Sequence, residues 1–191
     1  MVPLGWYDAG ARSFYNSKTP INTPADVEGL KIRVMSNDLF VKMVESMDGN
    51  ATPMAFGEVY QSIKTSVVDG AENNPPSYEP TNHFEVAKYY SLTEHLIIPE
   101  CLCMSLKTWE KMTPEQQAIL KEAGHKSGLL QRDLWQAREA ASMETVKAGG
   151  TVVNTIADKG PFQAAMAPVY EGFLADNPEL TELVNLIRNA E

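Results

Sequence analysis

Between Gly29 and Tyr78 the apolar residues switch repeatedly between strand and helix spacing, and this alternation constrains the fold more than any other feature. Lys31–Met35 is a short apolar run with one arginine, Arg33, set inside it. Ser36 then reads as the cap of a helix whose Leu39, Phe40, Met43, Val44 and Met47 follow helical spacing. The Asp48-Gly49-Asn50 cluster stops that helix. A strand at Ala51–Met54, a helix around Gly57–Thr65 and a strand around Asp69–Asn73 follow. Short strands alternating with helices imply an α/β fold: a short, mostly parallel sheet flanked by helices. In such sheets ligands sit outside the carboxyl ends of the strands. Phe56 and Asn73–Asn74 fall at such ends, and Arg33 lies near one.

The rest of the chain extends this frame. Met1–Tyr15 reads as extended structure. Thr23, Pro24 and Asp26 form the opening of a short helix, which Gly29 ends. Leu96–Leu106 is an apolar strand interrupted at Pro99. Thr113-Pro114-Glu115-Gln116 is a capping box with proline at the first helical position, and it opens a long helix running to Lys147. Gly149-Gly150 ends that helix, while Gly124 and Gly128 inside it leave room for a bend. A strand at Thr151–Asn154 and helices near Pro161–Leu174 and Pro178–Asn189, the second capped by Asn177, complete the reading.

Charge and composition exclude several function classes. The 191 residues carry a formal charge of −9, with no lysine or arginine cluster to neutralise phosphates, so no nucleic acid is expected as a partner. An anionic ligand would need a local positive site. No apolar run approaches the ~18–20 residues that cross a bilayer, so no direct membrane insertion is expected. Met1–Gly10 lacks the basic and apolar regions of a signal peptide. Cys101 and Cys103 read as small core residues on opposite faces of a strand, unable to bridge. Neither a nucleophile elbow, a phosphate loop nor a metal-ligand spacing is present, so neither catalysis nor a cofactor is expected.

The candidate site residues follow from the cost of burying polar groups. An arginine in an apolar strand cannot shed its proton and must meet an acceptor or an anion. For Arg33 the sequence offers two such partners: an internal acid such as Glu72, or the carboxylate of a ligand. Asn73 brings an amide that both donates and accepts. Asn74 suits the turn before Pro75-Pro76 better. Phe56 is open to two readings, core packing or an apolar wall. Arg12 is open to two as well, a solvated cation or a ligand contact. Tyr78 and His95 are weaker candidates.

Many of these segments, in order, resemble the extracytoplasmic solute receptors of tripartite ATP-independent periplasmic (TRAP) transporters, the DctP family. The resemblance rests on Ile21–Asp26, Gly29–Val34, Thr52–Tyr60, Val68–Tyr78, Phe84–His95 and Ser105–Trp109. It implies a periplasmic-binding-protein-like second lobe plus a long helix bracing both lobes. Family members are longer and carry a first lobe that would precede Met1. On that pattern residues 11–98 and 139–191 form the second lobe, and residues 1–10 and 99–138 form the hinge and first-lobe segments.

The resemblance also implies roles. Arg33 would clamp a ligand carboxylate, with Glu72 steering it. Asn73 would touch the ligand, and Phe56 would lie beneath its carbon skeleton. Arg12 would contribute as in some members, although its spacing differs slightly from that in the sialic-acid receptors. The Gly10–Asn16 and Ala71–Tyr78 segments look most like members that take uronates, with a C4-dicarboxylate as the alternative ligand. Membrane permease subunits are the implied partner, and the periplasm is the implied location of the parent protein. Two other readings are a truncated chain that associates with itself, and an enzyme acting on an organic acid.

Overall fold

The computed structural model describes residues 1–189. In chain order the elements are β1 (Val2–Tyr7), β2 (Ala11–Asn16), a 3-10 turn at Pro24–Val27, β3 (Lys31–Val34), α1 (Asp38–Glu45) and β4 (Asn50–Pro53). A 3-10 turn at Phe56–Glu58 runs into α2 (Val59–Lys64), followed by β5 (Gly70–Asn73), α3 (Pro75–Tyr78), α4 (His83–Val86), β6 (Tyr89–Ile97) and β7 (Glu100–Met104). Then come α5 (Leu106–Trp109), α6 (Pro114–Ala148), β8 (Val152–Thr155), α7 (Gly160–Ala165), α8 (Ala167–Asp176), a 3-10 turn at Pro178–Leu180 and α9 (Thr181–Arg188).

Six strands form one sheet in the order β4-β3-β5-β2-β6-β8. β3 runs parallel to β4 and β5, and β8 runs parallel to β6. The expected parallel α/β pairing therefore holds on both flanks. The centre departs from it, because β2 is antiparallel to β5 and to β6. β2 is buried along nearly its whole length. Its adjacent residues Phe14 and Tyr15 point to opposite faces, as strand alternation requires. Phe14 joins Ile32, Val34, Met43 and Val44 in one core, and Tyr15 joins Val59, Ile63, Tyr78 and Tyr90 in the other. Each large apolar side chain so buried contributes about 1.5–3 kcal/mol.

β1 and β7 form a separate antiparallel pair. α6 crosses β1 at backbone contact. A Cβ on Gly124 would lie 2.5 Å from the Leu4 carbonyl oxygen, and one on Gly128 would lie 2.7 Å from that of Trp6. The two glycines therefore serve close packing and interrupt nothing, since α6 is continuous for 35 residues. Its capping box is formed as expected: Thr113 N donates to Gln116 Oε1 at 3.0 Å, and Gln116 N donates to Thr113 Oγ1 at 3.3 Å.

Several expectations need correction. Asn37 rather than Ser36 caps α1, its Oδ1 accepting from Leu39 N at 2.9 Å. The apolar run beginning at Leu96 is the end of β6, and the break at Pro99 separates it from β7. The first C-terminal helix is divided at Met166 into α7 and α8, with a proline in the first turn of each. Cys101 and Cys103 share one face, because side chains two positions apart on a strand point the same way. Their Sγ atoms are 3.3 Å apart, and Cys103 is exposed rather than a core residue. No helix among the described residues is long and apolar enough to cross a membrane.

Candidate ligand-binding cleft

Arg33 reaches the cleft from β3. Its Nε and Nη2 both donate to the Met54 carbonyl oxygen, at 3.0 and 2.7 Å, which fixes the plane of the guanidinium. The ring of Phe56 lies 5.8 Å from the Arg33 Cζ. Arg33 is only 4% exposed, and burial pulls its pKa below the ordinary value. A guanidinium remains charged even so. Among the described residues it forms no ion pair.

Glu72 serves Arg12 instead, which corrects the expectation that it steers Arg33. Arg12 Nε donates to Glu72 Oε2 at 2.5 Å and Nη2 to Oε1 at 2.7 Å. Nη2 also bonds the Glu72 carbonyl oxygen at 2.8 Å. The strand register explains this choice. Arg33 sits opposite Ala71 across β3 and β5, and Phe14 sits opposite Glu72 across β2 and β5. Alternation then puts Glu72 on the Phe14 face with Arg12, and Arg33 on the other face. Burial by itself would raise the Glu72 carboxyl, but the bonds from Arg12, with His95 nearby, hold it below the usual carboxylate range.

Asn73 ends β5 beside this pair. Its Oδ1 accepts from Arg12 Nη1 and from Asn74 N, each at 2.9 Å. Its amide nitrogen has no acceptor in the hydrogen bonds of the described residues, so it is available to a ligand. Asn74 takes the turn role, capping α3 by accepting from Ser77 N at 2.9 Å and tying Nδ2 to the Ala9 carbonyl oxygen at 2.8 Å. Phe56 is 40% exposed, so it forms a wall of the opening rather than part of the core. Arg12, Arg33, Phe56 and Asn73 line a single cleft of about 260 Å³.

Two weaker candidates lie elsewhere. Tyr78 is fully buried, and its hydroxyl donates to the Ala87 carbonyl oxygen at 2.6 Å. His95 stacks on Phe14 with centroids 4.4 Å apart, its Nδ1 lies 2.8 Å from Thr93 Oγ1, and its Nε2 is 3.6 Å from Glu72 Oε2. That nitrogen has no hydrogen-bond partner among the described residues. His83, not singled out from sequence, lies 2.8 Å from the Tyr15 hydroxyl through Nδ1 and packs edge-on against Phe56. Burial, with Arg33 nearby, pushes the His83 imidazole down to about 4.

Met35, Ser77, Ile98 and Glu100 also line the cleft and were not anticipated. Only strand pairing brings Glu100 here, and no local motif marks it. A larger cavity of about 390 Å³ opens beside α7 and α8. Its cations are already engaged, Lys159 with Glu94 and Arg188 over the Tyr170 ring. Arg188 is exposed, whereas the smaller cleft presents a cation, Arg33, that is buried and has no ion pair among the described residues.

Residues 1–177 match the DctP family of bacterial extracellular solute-binding proteins, family 7. The chain belongs to that family. The DctP family comprises solute-binding receptors rather than enzymes. A solute-binding protein of Chromohalobacter salexigens is 51% identical over 100% of this chain and 57% of its own length. Two solved TRAP periplasmic solute-binding proteins superpose with TM-scores of 0.96. The one from Sulfitobacter sp. NAS-14.1, with bound β-D-galacturonate, is 73% identical, and the match covers 99% of this chain and 63% of that one. The one from Roseobacter denitrificans, with bound β-D-glucuronate, is 62% identical with the same coverage. The chain thus spans about three fifths of the length of these DctP-family proteins.

Proposed function

We propose that this chain is the second-lobe portion of a periplasmic TRAP-transporter receptor that binds a uronate-type sugar acid and delivers it to membrane permease subunits. Residues 11–98 and 139–191 would form that lobe, with residues 1–10 and 99–138 as hinge and first-lobe segments. The pairing of β1 with β7, apart from the six-stranded sheet, supports this division.

One observation carries the reading: Arg33 faces the cleft, held by a carbonyl and by no acid, while Arg12 is neutralised by Glu72. A planar carboxylate meeting the remaining N–H groups would gain charge-assisted bonds that fix orientation. Asn73 offers an amide donor to the same ligand, and Phe56 an apolar surface for a sugar ring. The galacturonate and glucuronate in the two solved relatives support a hexuronate over a C4-dicarboxylate.

Titration calorimetry with galacturonate, glucuronate, succinate and neutral galactose tests the reading. Saturable binding of the uronates, and none of galactose, is the expected outcome. Binding restricted to neutral sugars would overturn it.

The exposed apolar residues Ile119, Leu130 and Leu134 of α6 favour a second reading, self-association of this chain without ligand binding. They recur at helical spacing on one face. A concentration-dependent oligomer in size-exclusion chromatography, with no uronate heat, would support it.

A further inference from the structure

The geometry points to a modification site outside the cleft: Cys101 and Cys103 form a dithiol that closes to an intrachain disulfide by exchange with a small-molecule disulfide. The thiols lie on one face of β7 with Sγ atoms 3.3 Å apart, already in contact. Two residues apart on a strand, their Cα atoms are separated by roughly 6.4–6.8 Å. That lies at the upper end of the roughly 4.4–6.8 Å that a disulfide spans. A disulfide also needs its Cβ atoms within roughly 3.5–4.5 Å, closer than two side chains on one face of an extended strand stand. Closure therefore requires the strand to pucker and leaves the bond under tension. Tension makes a disulfide readily reducible, so the site is reversible rather than a permanent staple.

The surroundings allow the adjustment that closure needs. Among the described residues β7 pairs with β1 alone, so no second strand of this chain opposes its puckering. The register between the two strands already slips between Pro3 and Gly5, opposite Cys103 and Leu102. Cys103 is exposed and Cys101 partly buried, which makes Cys103 the attacking thiol. Its neighbour holds the Cys101 thiol above the ordinary range.

The chemistry balances as two exchanges. The Cys103 thiolate attacks one sulfur of the external disulfide, forming a mixed disulfide and expelling one thiolate. The Cys101 thiolate then attacks the Cys103 sulfur and expels nothing further from the protein except the attached small thiol. The protein loses two thiol protons and two electrons, and the external disulfide is reduced to two thiols.

Incubating the whole chain with oxidised glutathione, alkylating with iodoacetamide and measuring intact mass tests this. The wild-type product is expected to be two hydrogens lighter, free of alkyl and glutathione groups, and restored by dithiothreitol. Cys101→Ser and Cys103→Ser should each stop at a single glutathione adduct. A stable glutathione adduct on the wild type, disulfide-linked dimers, or two alkylated cysteines after the incubation would overturn the proposal. Circular dichroism of each variant checks that the strand pair is intact.

Discussion

Arg12 and Glu72 meet in a two-pronged ion pair, with N–O distances of 2.5 and 2.7 Å, between neighbouring strands of the central sheet. Glu72 is fully buried and Arg12 nearly so. Deleting one partner of such a pair leaves a buried charge without compensation, at a cost of about 3–5 kcal/mol. Glu72→Ala and Arg12→Ala should each lower the unfolding free energy measured by urea denaturation by that order. Arg12→Met with Glu72→Leu should recover much of the loss, because no orphaned charge remains. Equal losses in the single and double variants would argue against the pair as the cause.

Arg33→Lys should separate binding from folding. The ammonium keeps the charge but loses the planar fork, and each charge-assisted bond contributes about 1.5–3 kcal/mol. Uronate affinity is expected to fall by about tenfold to a hundredfold. The thermal midpoint should move little by comparison, since Met54 supplies the only bonds that Arg33 makes within the described residues. Calorimetry read beside a thermal melt checks both halves.

His83 sets an acid limit on stability. Its imidazole is pushed from 6.5 down to about 4 in the folded chain. Between those values the unfolded chain binds the proton and the folded chain does not, so stability rises with pH there. Stability from this source is complete above pH 6.5 and declines as the pH falls toward 4. Urea denaturation at successive pH values should show that slope. His83→Gln should flatten it while leaving any decline at lower pH, where Glu72 is protonated.

Gly124→Ala tests the crossing of α6 over β1. The added methyl would sit 2.5 Å from the Leu4 carbonyl oxygen, and backbone at that distance has to move. Overpacking of this kind costs about 1–3 kcal/mol. Gly172→Ala on α8, where a methyl meets nothing within 4 Å, is the matched control and should be neutral or slightly stabilising. Thermal melts of the two variants make the comparison.

Periodicity revealed the flanks of the sheet and concealed its centre. Lys31–Val34, Asn50–Pro53 and Gly70–Asn73 were legible because apolar runs, glycine breaks and helical spacing coincide there. Ala11–Asn16 carries arginine, serine and asparagine, so it does not look like the most buried strand, and its antiparallel direction depends on partners far along the chain. The cost of burying a guanidinium pointed to Arg33, and strand-end geometry pointed to Phe56 and Asn73. Pairing was harder to foresee: whether Glu72 joins Arg12 or Arg33 depends on register, which no local pattern encodes. Cys101 and Cys103 were misplaced for a simpler reason, a strand period of two read as an opposition of faces.

The threading of Ala11–Asn16 between two parallel flanks also bears on how the chain assembles. Neither layer of helices can be sealed until this early strand has slid into place, because it supplies Phe14 to one side and Tyr15 to the other. The two layers should accordingly melt together, with the slowest amide exchange along this strand and no state in which one half survives alone.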